Sequence, residues 1–300
     1  MMAVEKITTL RGDQHEAEPM SRHTTWRVGG NAEHYYRPAD LDDLCDFLQQ
    51  MNINENLFWV GLGSNLLVRD GGLRGTVIHT SGRLNELSLL DETTVRAEAG
   101  VSCAKVARLA ARNGLVGAEF LAGIPGTMGG ALAMNAGAFG GETWRIVKSV
   151  ETVNKQGQRV THVPADYEIS YRTVKGKDDE WFVSADLSLT KGDVEKAQQA
   201  IKKLLAKRAA TQPTSQASCG SVFRNPDGDY AARLIEDSGL KGFCIGNACV
   251  SEKHANFIIN TGDARATDIE ALIKHIAEIV KKEHNITLQT EVKIVGEDLA

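Results

Sequence analysis

The chain has 300 residues, of which 42% are hydrophobic and 24% charged, with a formal net charge of −5 and a sequence pI near 5.9. Composition of this kind belongs to soluble globular proteins, and the length exceeds what one ordinary core holds, so two domains are expected. The charge balance excludes a global basic field for nucleic acid or an anionic membrane, and leaves any phosphate binding to local sites.

Residues 1–20 carry charges throughout and no apolar signal-peptide core, and they read as a mobile arm. No stretch approaches the length of a membrane span, so a cytoplasmic location is expected. The five cysteines, Cys45, Cys103, Cys219, Cys244 and Cys249, are odd in number and lack C-x-x-C spacing. That suits a reducing compartment better than a disulfide framework. Cys244, Cys249 and His254 find no fourth ligand, and no metal is expected. Asp40 stands before Leu41, Leu44, Leu48 and Met51, an N-cap ahead of an amphipathic helix that ends near Asn52. Strands are predicted at 58–61 and 76–80 with Asp70-Gly71-Gly72 as a turn, and at 93–99. Ser102 is expected to cap a helix that turns Val106, Leu109 and Ala110 inward and stops at a left-handed Gly114.

Two glycine-rich loops stand out. The run 57–60 feeds Gly61-Leu62-Gly63-Ser64-Asn65, but Leu66 occupies the place of the third glycine of a dinucleotide fingerprint. Neither G-K-[ST] nor G-x-S-x-G is present, so a P-loop and a nucleophile elbow are excluded, leaving Ser64 and Asn65 to bond a cofactor. The second loop, 123–141, has seven glycines in nineteen residues. Ile124-Pro125-Gly126 reads as a tight turn and 127–134 as a short helix, whose N-terminal amides offer a phosphate or pyrophosphate site. A glycine-rich packing loop or hinge is the other reading.

Beyond it, 147–153 and 159–163 flank Lys155-Gln156-Gly157 as a hairpin, and 181–189 is a strand. Asp193 opens a helix to about Arg208 with Val194, Ala197, Ile201, Leu204 and Leu205 on one face, and the domain boundary is placed at Lys191-Gly192. A helix is predicted at 230–237, stopped by Gly239, and a strand at 257–260. Thr267 and Glu270 form a capping box for a helix carrying Ile269, Leu272, Ile273, Ile276 and Ile279. Leu288, Val292 and Ile294 alternate with Gln289, Glu291 and Lys293 in a last strand, with Glu291 on its polar face. By residue type alone, Arg172 could clamp a carboxylate or sit on the surface, Ser221 belongs to a turn, and Glu291 is a solvated strand residue.

Seven runs in one order change that balance: HTTWRVGGNAE from His23, GLGSNLLV from Gly61, GIPGTMGGALAMNAGAFGGE from Gly123, SYR from Ser170, CGSVFRNP from Cys219, KHANFIIN from Lys253 and LQTEVKIVG from Leu288. Over about residues 20–296 the set resembles the UDP-N-acetylenolpyruvoylglucosamine reductase family. The resemblance implies an α+β flavoprotein, with an FAD-binding domain of the vanillyl-alcohol-oxidase (PCMH) type at 21–191 and a smaller α+β substrate-binding domain at 192–300. It implies FAD as cofactor, NADPH as reducing co-substrate and a UDP-sugar substrate, without an obligate protein partner or nucleic acid. Carried over by motif, the catalytic residues would be Arg172, Ser221 and Glu291. FAD would meet Gly61, Gly63, Ser64, Asn65 and Leu66, then Gly123, Ile124, Pro125, Gly126, Gly129 and Gly130, then Asn135, Ala136 and Gly137. Arg224, where relatives commonly carry lysine, and Asn225, His254 and Asn256 would meet the substrate. The short interval from Arg172 to Trp181 favours the subclass that lacks an added tyrosine loop. Another FAD oxidoreductase of this fold acting on a hydroxy acid, and an inactive nucleotide-binding protein, are the alternatives.

Overall fold

A computed structural model describes residues 9–299. The first eight positions of the expected arm lie outside these residues. Its remainder is ordered as a strand, Asp13–Pro19, in a four-stranded sheet with Asn31–Arg37, Leu73–His79 and Leu57–Val60. The backbone divides into two compact units that are not contiguous in sequence. One comprises residues up to Glu16, His34–Gly61 and Gly75–Ile201; the other comprises Ala17–Glu33, Leu62–Arg74 and Lys202 onward.

In the first unit the Asp40 carboxylate accepts the Asp43 amide at 2.9 Å and starts α1 (Leu41–Gln50) as expected. Leu41, Leu44, Cys45 and Leu48 of α1 bury against Tyr36, Ile78, Leu84, Val153 and Val183. A five-stranded antiparallel sheet runs in the order Arg159–His162, Val147–Asn154, Glu180–Ser188, Thr94–Glu98, Leu87–Leu89. The predicted hairpin is its outer pair, with Gly157 at φ +70° in the turn. α2 (Cys103–Arg112) and α3 (Met128–Ala133) follow the predicted positions, although the Ser102 side chain makes no cap bond. In α4 (Val194–Thr211) Ala197 and Ile201 are buried, while Val194 is 39% exposed rather than inward.

The second unit is centred on Trp26, Leu67, Phe223, Leu234, Ile258, Leu272 and Ile276. α5 (Ala231–Asp237) and α6 (Ala266–His284) cover the sheet Ala217–Ser218, Ile258–Asn260, Ala248–Val250, Cys244–Ile245. α6 buries Ile269, Leu272, Ile273 and Ile276 of the predicted stripe, with Val280 rather than Ile279 completing it, and starts one residue earlier than its expected cap. The Asp70 carboxylate takes the amides of Ala266 (3.0 Å) and Thr267 (2.9 Å) and the Thr267 hydroxyl. Glu270 instead pairs with Arg69 at 2.8 Å and Lys274 at 3.0 Å, so the Thr267–Glu270 box does not form. Burial pushes the Asp70 carboxyl up, but these hydrogen bonds outweigh it and hold it below the usual range. The last strand is shorter than predicted: Lys293–Val295 pairs in parallel with Leu66–Val68, and before it Thr290 makes an isolated antiparallel bridge to Phe223. A second departure is the Cys244–Cys249 disulfide, between residues directly opposed in a hairpin. Among the described residues no helix is long and apolar enough to cross a membrane, and no three His, Cys, Asp or Glu side chains converge as a metal site.

Candidate active site

The glycine-rich stretch resolves into a helical turn over Glu119–Gly123, then α3, then a tight hairpin of Gly137–Ala138 with Gly141–Glu142. Most of its glycines answer to the protein itself. A Cβ on Gly123 would lie 2.6 Å from the Phe139 ring, one on Gly129 would lie 2.9 Å from the Ala99 Cβ, and one on Gly137 would strike the Gly141 carbonyl. Phe139 and Gly140 both have positive φ, as a two-residue hairpin turn demands. The expected free amides at the start of α3 are taken: Met128 donates to the Val101 carbonyl at 2.8 Å and Gly129 to the Ala99 carbonyl at 2.9 Å. In the turn before it, Gly126 donates to Ile124 and accepts from Cys103, and Pro125 is exposed.

Two features remain that fit a flavin nucleotide. Gly130 is exposed, and a Cβ there would meet only the Thr127 hydroxyl, at 3.8 Å, so no protein atom demands a glycine. The Thr127 Oγ1 is itself buried without a hydrogen-bond partner among the described residues, and it lies where a Cβ on Gly61 would be. Thr127 was not singled out in the sequence; its place as a threonine before a short helix was the available signal.

Asn135 is left-handed (φ +45°) at the end of α3 and buried, accepting from the Trp144 amide at 3.1 Å and donating to the Ser170 carbonyl at 3.1 Å. Ala136 is buried beneath Thr143, whose hydroxyl bonds its carbonyl at 2.7 Å. These contacts join the glycine-rich stretch to the hairpin of Glu168–Ser170 with Thr173–Lys175. At the turn of that hairpin Arg172 adopts φ +53°, a conformation costly for a side-chain-bearing residue, and its Nη2 donates to the Gly137 carbonyl at 2.9 Å. Arg172 thus comes to the expected cofactor loop.

In the second unit the loop 219–226 is bound from three sides. The Asn256 side chain, buried at 3% exposure, imitates a strand edge: its Oδ1 accepts from the Phe223 amide at 2.9 Å and its Nδ2 donates to the Phe223 carbonyl at 2.8 Å. Its backbone carbonyl accepts from Val222. The Glu291 amide donates to the Val222 carbonyl at 2.8 Å, and Arg224 donates to the Gln289 carbonyl at 2.9 Å. Ser221 therefore sits half-buried in a segment pinned on both edges, after a Gly220 that opens the turn at φ +75°. Glu291, expected on a solvated face, is buried at 9% because this pairing draws its backbone inward.

The GLGSN loop joins the same construction. Asn65 donates from Nδ2 to the Glu291 carbonyl at 3.2 Å and accepts from the Lys293 amide. The buried Cys219 sulfur accepts from the Leu66 amide at 3.1 Å and lies 3.6 Å from the Gly63 carbonyl. Burial pushes this thiol up to about 12, so it acts as a neutral packing and bonding group. Sequence reading passed over Cys219, because one cysteine before Gly-Ser carries no spacing signal. Gly63, at φ +65°, lies against His23 and Thr24. Of the expected substrate residues, Asn225 bonds the Ala231 amide at 3.1 Å at the start of α5. His254 packs edge-on to Phe257 at 4.7 Å, and burial lowers its pKa.

Residues 32–162 match the family model described as FAD binding domain, and residues 212–295 match that of the UDP-N-acetylenolpyruvoylglucosamine reductase C-terminal domain. The UDP-N-acetylenolpyruvoylglucosamine reductase of Methylococcus capsulatus is 58% identical over 287 residues, covering 96% of this chain and 94% of that protein. The Legionella pneumophila protein of the same name is 56% identical over 292 residues, covering 97% and 95%. The crystal structure of the reductase from Thermus caldophilus superposes with a TM-score of 0.82 at 30% identity, over 95% of this chain and 99% of that one. With both parts of the family architecture matched in order and nearly the whole length shared with its relatives, the chain belongs to the UDP-N-acetylenolpyruvoylglucosamine reductase family.

Proposed function

We propose that the protein reduces UDP-N-acetylenolpyruvoylglucosamine to UDP-N-acetylmuramate, with FAD as bound cofactor and NADPH as reductant, in the cytoplasmic phase of peptidoglycan precursor synthesis. The observation that carries this reading is the near-full-length match to reductases of that name. Arg172, Ser221 and Glu291 stand at the motif positions where the chemistry is expected. When bound, FAD supplies the two-electron transfer, and Gly61, Thr127 and Gly130 are the residues of the first unit suited to hold it.

Adding a hydride at the methylene carbon of the enolpyruvyl group leaves negative charge on C2 and its carboxylate. Arg172, permanently cationic and steadied by the Gly137 carbonyl, is suited to hold that charge. Glu291 supports the developing enol. Ser221 gives its hydroxyl proton to C2, and solvent restores it. A serine is a weak acid, so the role depends on position, and the hold of Asn256 and Glu291 on residues 222–223 supports it by restraining the neighbouring backbone.

The test is turnover. Purified protein should be yellow and, beyond the one equivalent that reduces its flavin, should consume NADPH only when the enolpyruvyl sugar nucleotide is present, giving a product heavier by two hydrogens. Flavin reoxidation by a hydroxy-acid-derived keto acid, with no response to the sugar nucleotide, would favour a different oxidoreductase of the same fold. A colourless protein that takes up no added FAD would remove the reading altogether.

A further inference from the structure

We propose that Cys244 and Cys249 form a reversible thiol/disulfide exchange site, reduced by dithiol reductants and reoxidised by small disulfides of the glutathione class. The two residues face each other across the hairpin of Cys244–Ile245 with Ala248–Val250, with Cα atoms 4.1 Å apart, the close approach of a pair that shares no ladder hydrogen bonds. Cys244 is exposed and Cys249 half-buried, so the Cys244 sulfur is the one open to attack, with Cys249 as the leaving sulfur.

Selectivity follows from the rest of the chain. Cys45, Cys103 and Cys219 are all buried, and burial raises their thiols, to about 12 for Cys103 and Cys219. A soluble thiol or disulfide therefore has one accessible pair to react with.

The hairpin does not depend on the sulfur bond. Gly242 donates to the Val250 carbonyl at 3.1 Å and Val250 to the Phe243 carbonyl at 2.9 Å. Gly246 supplies the left-handed turn residue (φ +55°), and the Thr261 amide and hydroxyl both bond the Asn247 carbonyl at 3.0 Å. Phe243 stacks on His275 of α6 at 4.6 Å, and Ala248–Val250 pairs with Ile258–Asn260. A cross-link between residues five apart closes too short a loop to restrain much of the unfolded chain. The pair is thus free to cycle without unfolding its surroundings, the property that separates a redox site from a staple.

A thiolate of the dithiol attacks the Cys244 sulfur, the bond between the two cysteine sulfurs breaks, and Cys249 leaves as a thiolate that takes a proton. The second thiolate of the reductant then attacks its own sulfur in the mixed disulfide. Cys244 is released and protonated, and the reductant is left as a cyclic disulfide. Glutathione disulfide reverses the process and is itself reduced to two glutathiones.

The test is thiol counting on the folded holoprotein. Dithiothreitol treatment followed by maleimide should add two labels, mapped to Cys244 and Cys249, and treatment with glutathione disulfide should return the labelling to zero over repeated cycles. The melting temperature should stay within a few degrees between the two forms. The Cys249→Ser variant should capture one glutathione on Cys244. Labelling that does not differ between the two treatments, labels on the other three cysteines, loss of folded structure on reduction, or no adduct on the single variant would each overturn the proposal.

Discussion

The loop 123–141 of the first unit and the loop 219–226 of the second are both rich in motif signal, yet they are held in different ways. The first is fixed by steric fit: Gly123 under Phe139, Gly129 against Ala99, Gly137 under the Gly141 carbonyl. The second is fixed by polar clamps: Asn256 on Phe223, the Cys219 sulfur on Leu66, the Glu291 amide on Val222. Glycine density therefore reports how closely a backbone packs, not where a ligand lies. Gly130 is the glycine of α3 that neither a close contact nor a positive φ requires, since a Cβ there would meet only the Thr127 hydroxyl, at 3.8 Å.

The largest effect is expected from removing the clamp. Asn256→Leu keeps the volume but leaves the Phe223 amide and carbonyl buried without partners, a loss of roughly 3 kcal/mol in urea unfolding. A change below about 1 kcal/mol would mean that the loop is held by something other than its polar contacts. Steric fit is probed at adjacent glycines of α3. Gly129→Val should cost about 2 kcal/mol, because its side chain must displace Ala99. Gly130→Ala should stay within about 0.5 kcal/mol of wild type and yet lower the flavin content. Should both variants keep their stability, or should Gly130→Ala retain full flavin, the distinction between a packing glycine and a ligand-facing glycine fails.

A smaller effect sharpens the polar side. Arg69, and then Lys274, hold the Glu270 carboxyl at about 2, below its ordinary 4.5. A depressed carboxyl stabilises the fold above its unfolded pKa and loses that contribution as pH falls through the folded value. Allowing for the partial exposure of Arg69 and Lys274, Glu270→Gln should cost on the order of 1–2 kcal/mol at neutral pH. The gap between variant and wild type should narrow below about pH 4.5 and close near pH 2, and a gap that stays constant across this range would assign the cost to packing instead.

Local signals were legible and long-range ones were not. Asp40 at the head of an apolar stripe, Gly157 in a hairpin and Gly239 after α5 each act within a few residues, and each was read correctly. Asp13–Pro19 reads as an arm because it is polar and irregular, and its pairing with distant strands cannot be seen in its own composition. The helix start at Ala266 depends on Asp70, almost two hundred residues away, which outcompetes the local Thr267–Glu270 box. The discontinuous units have the same origin, since Leu66–Val68 is paired by Lys293–Val295. At the candidate site, spacing could not tell that Asn256 clamps the backbone or that Glu291 is buried.

Ser221 is proposed to deliver the proton to substrate carbon from a restrained loop. Rapid mixing of Ser221→Ala measures it directly, because flavin reduction by NADPH needs no such proton and reoxidation by the enolpyruvyl sugar nucleotide does. The account predicts normal FAD content, a nearly unchanged reductive rate and a reoxidation slowed by about 10²–10⁴-fold, the usual worth of a positioned general acid. Reoxidation at the wild-type rate, or equal slowing of both steps, would contradict it.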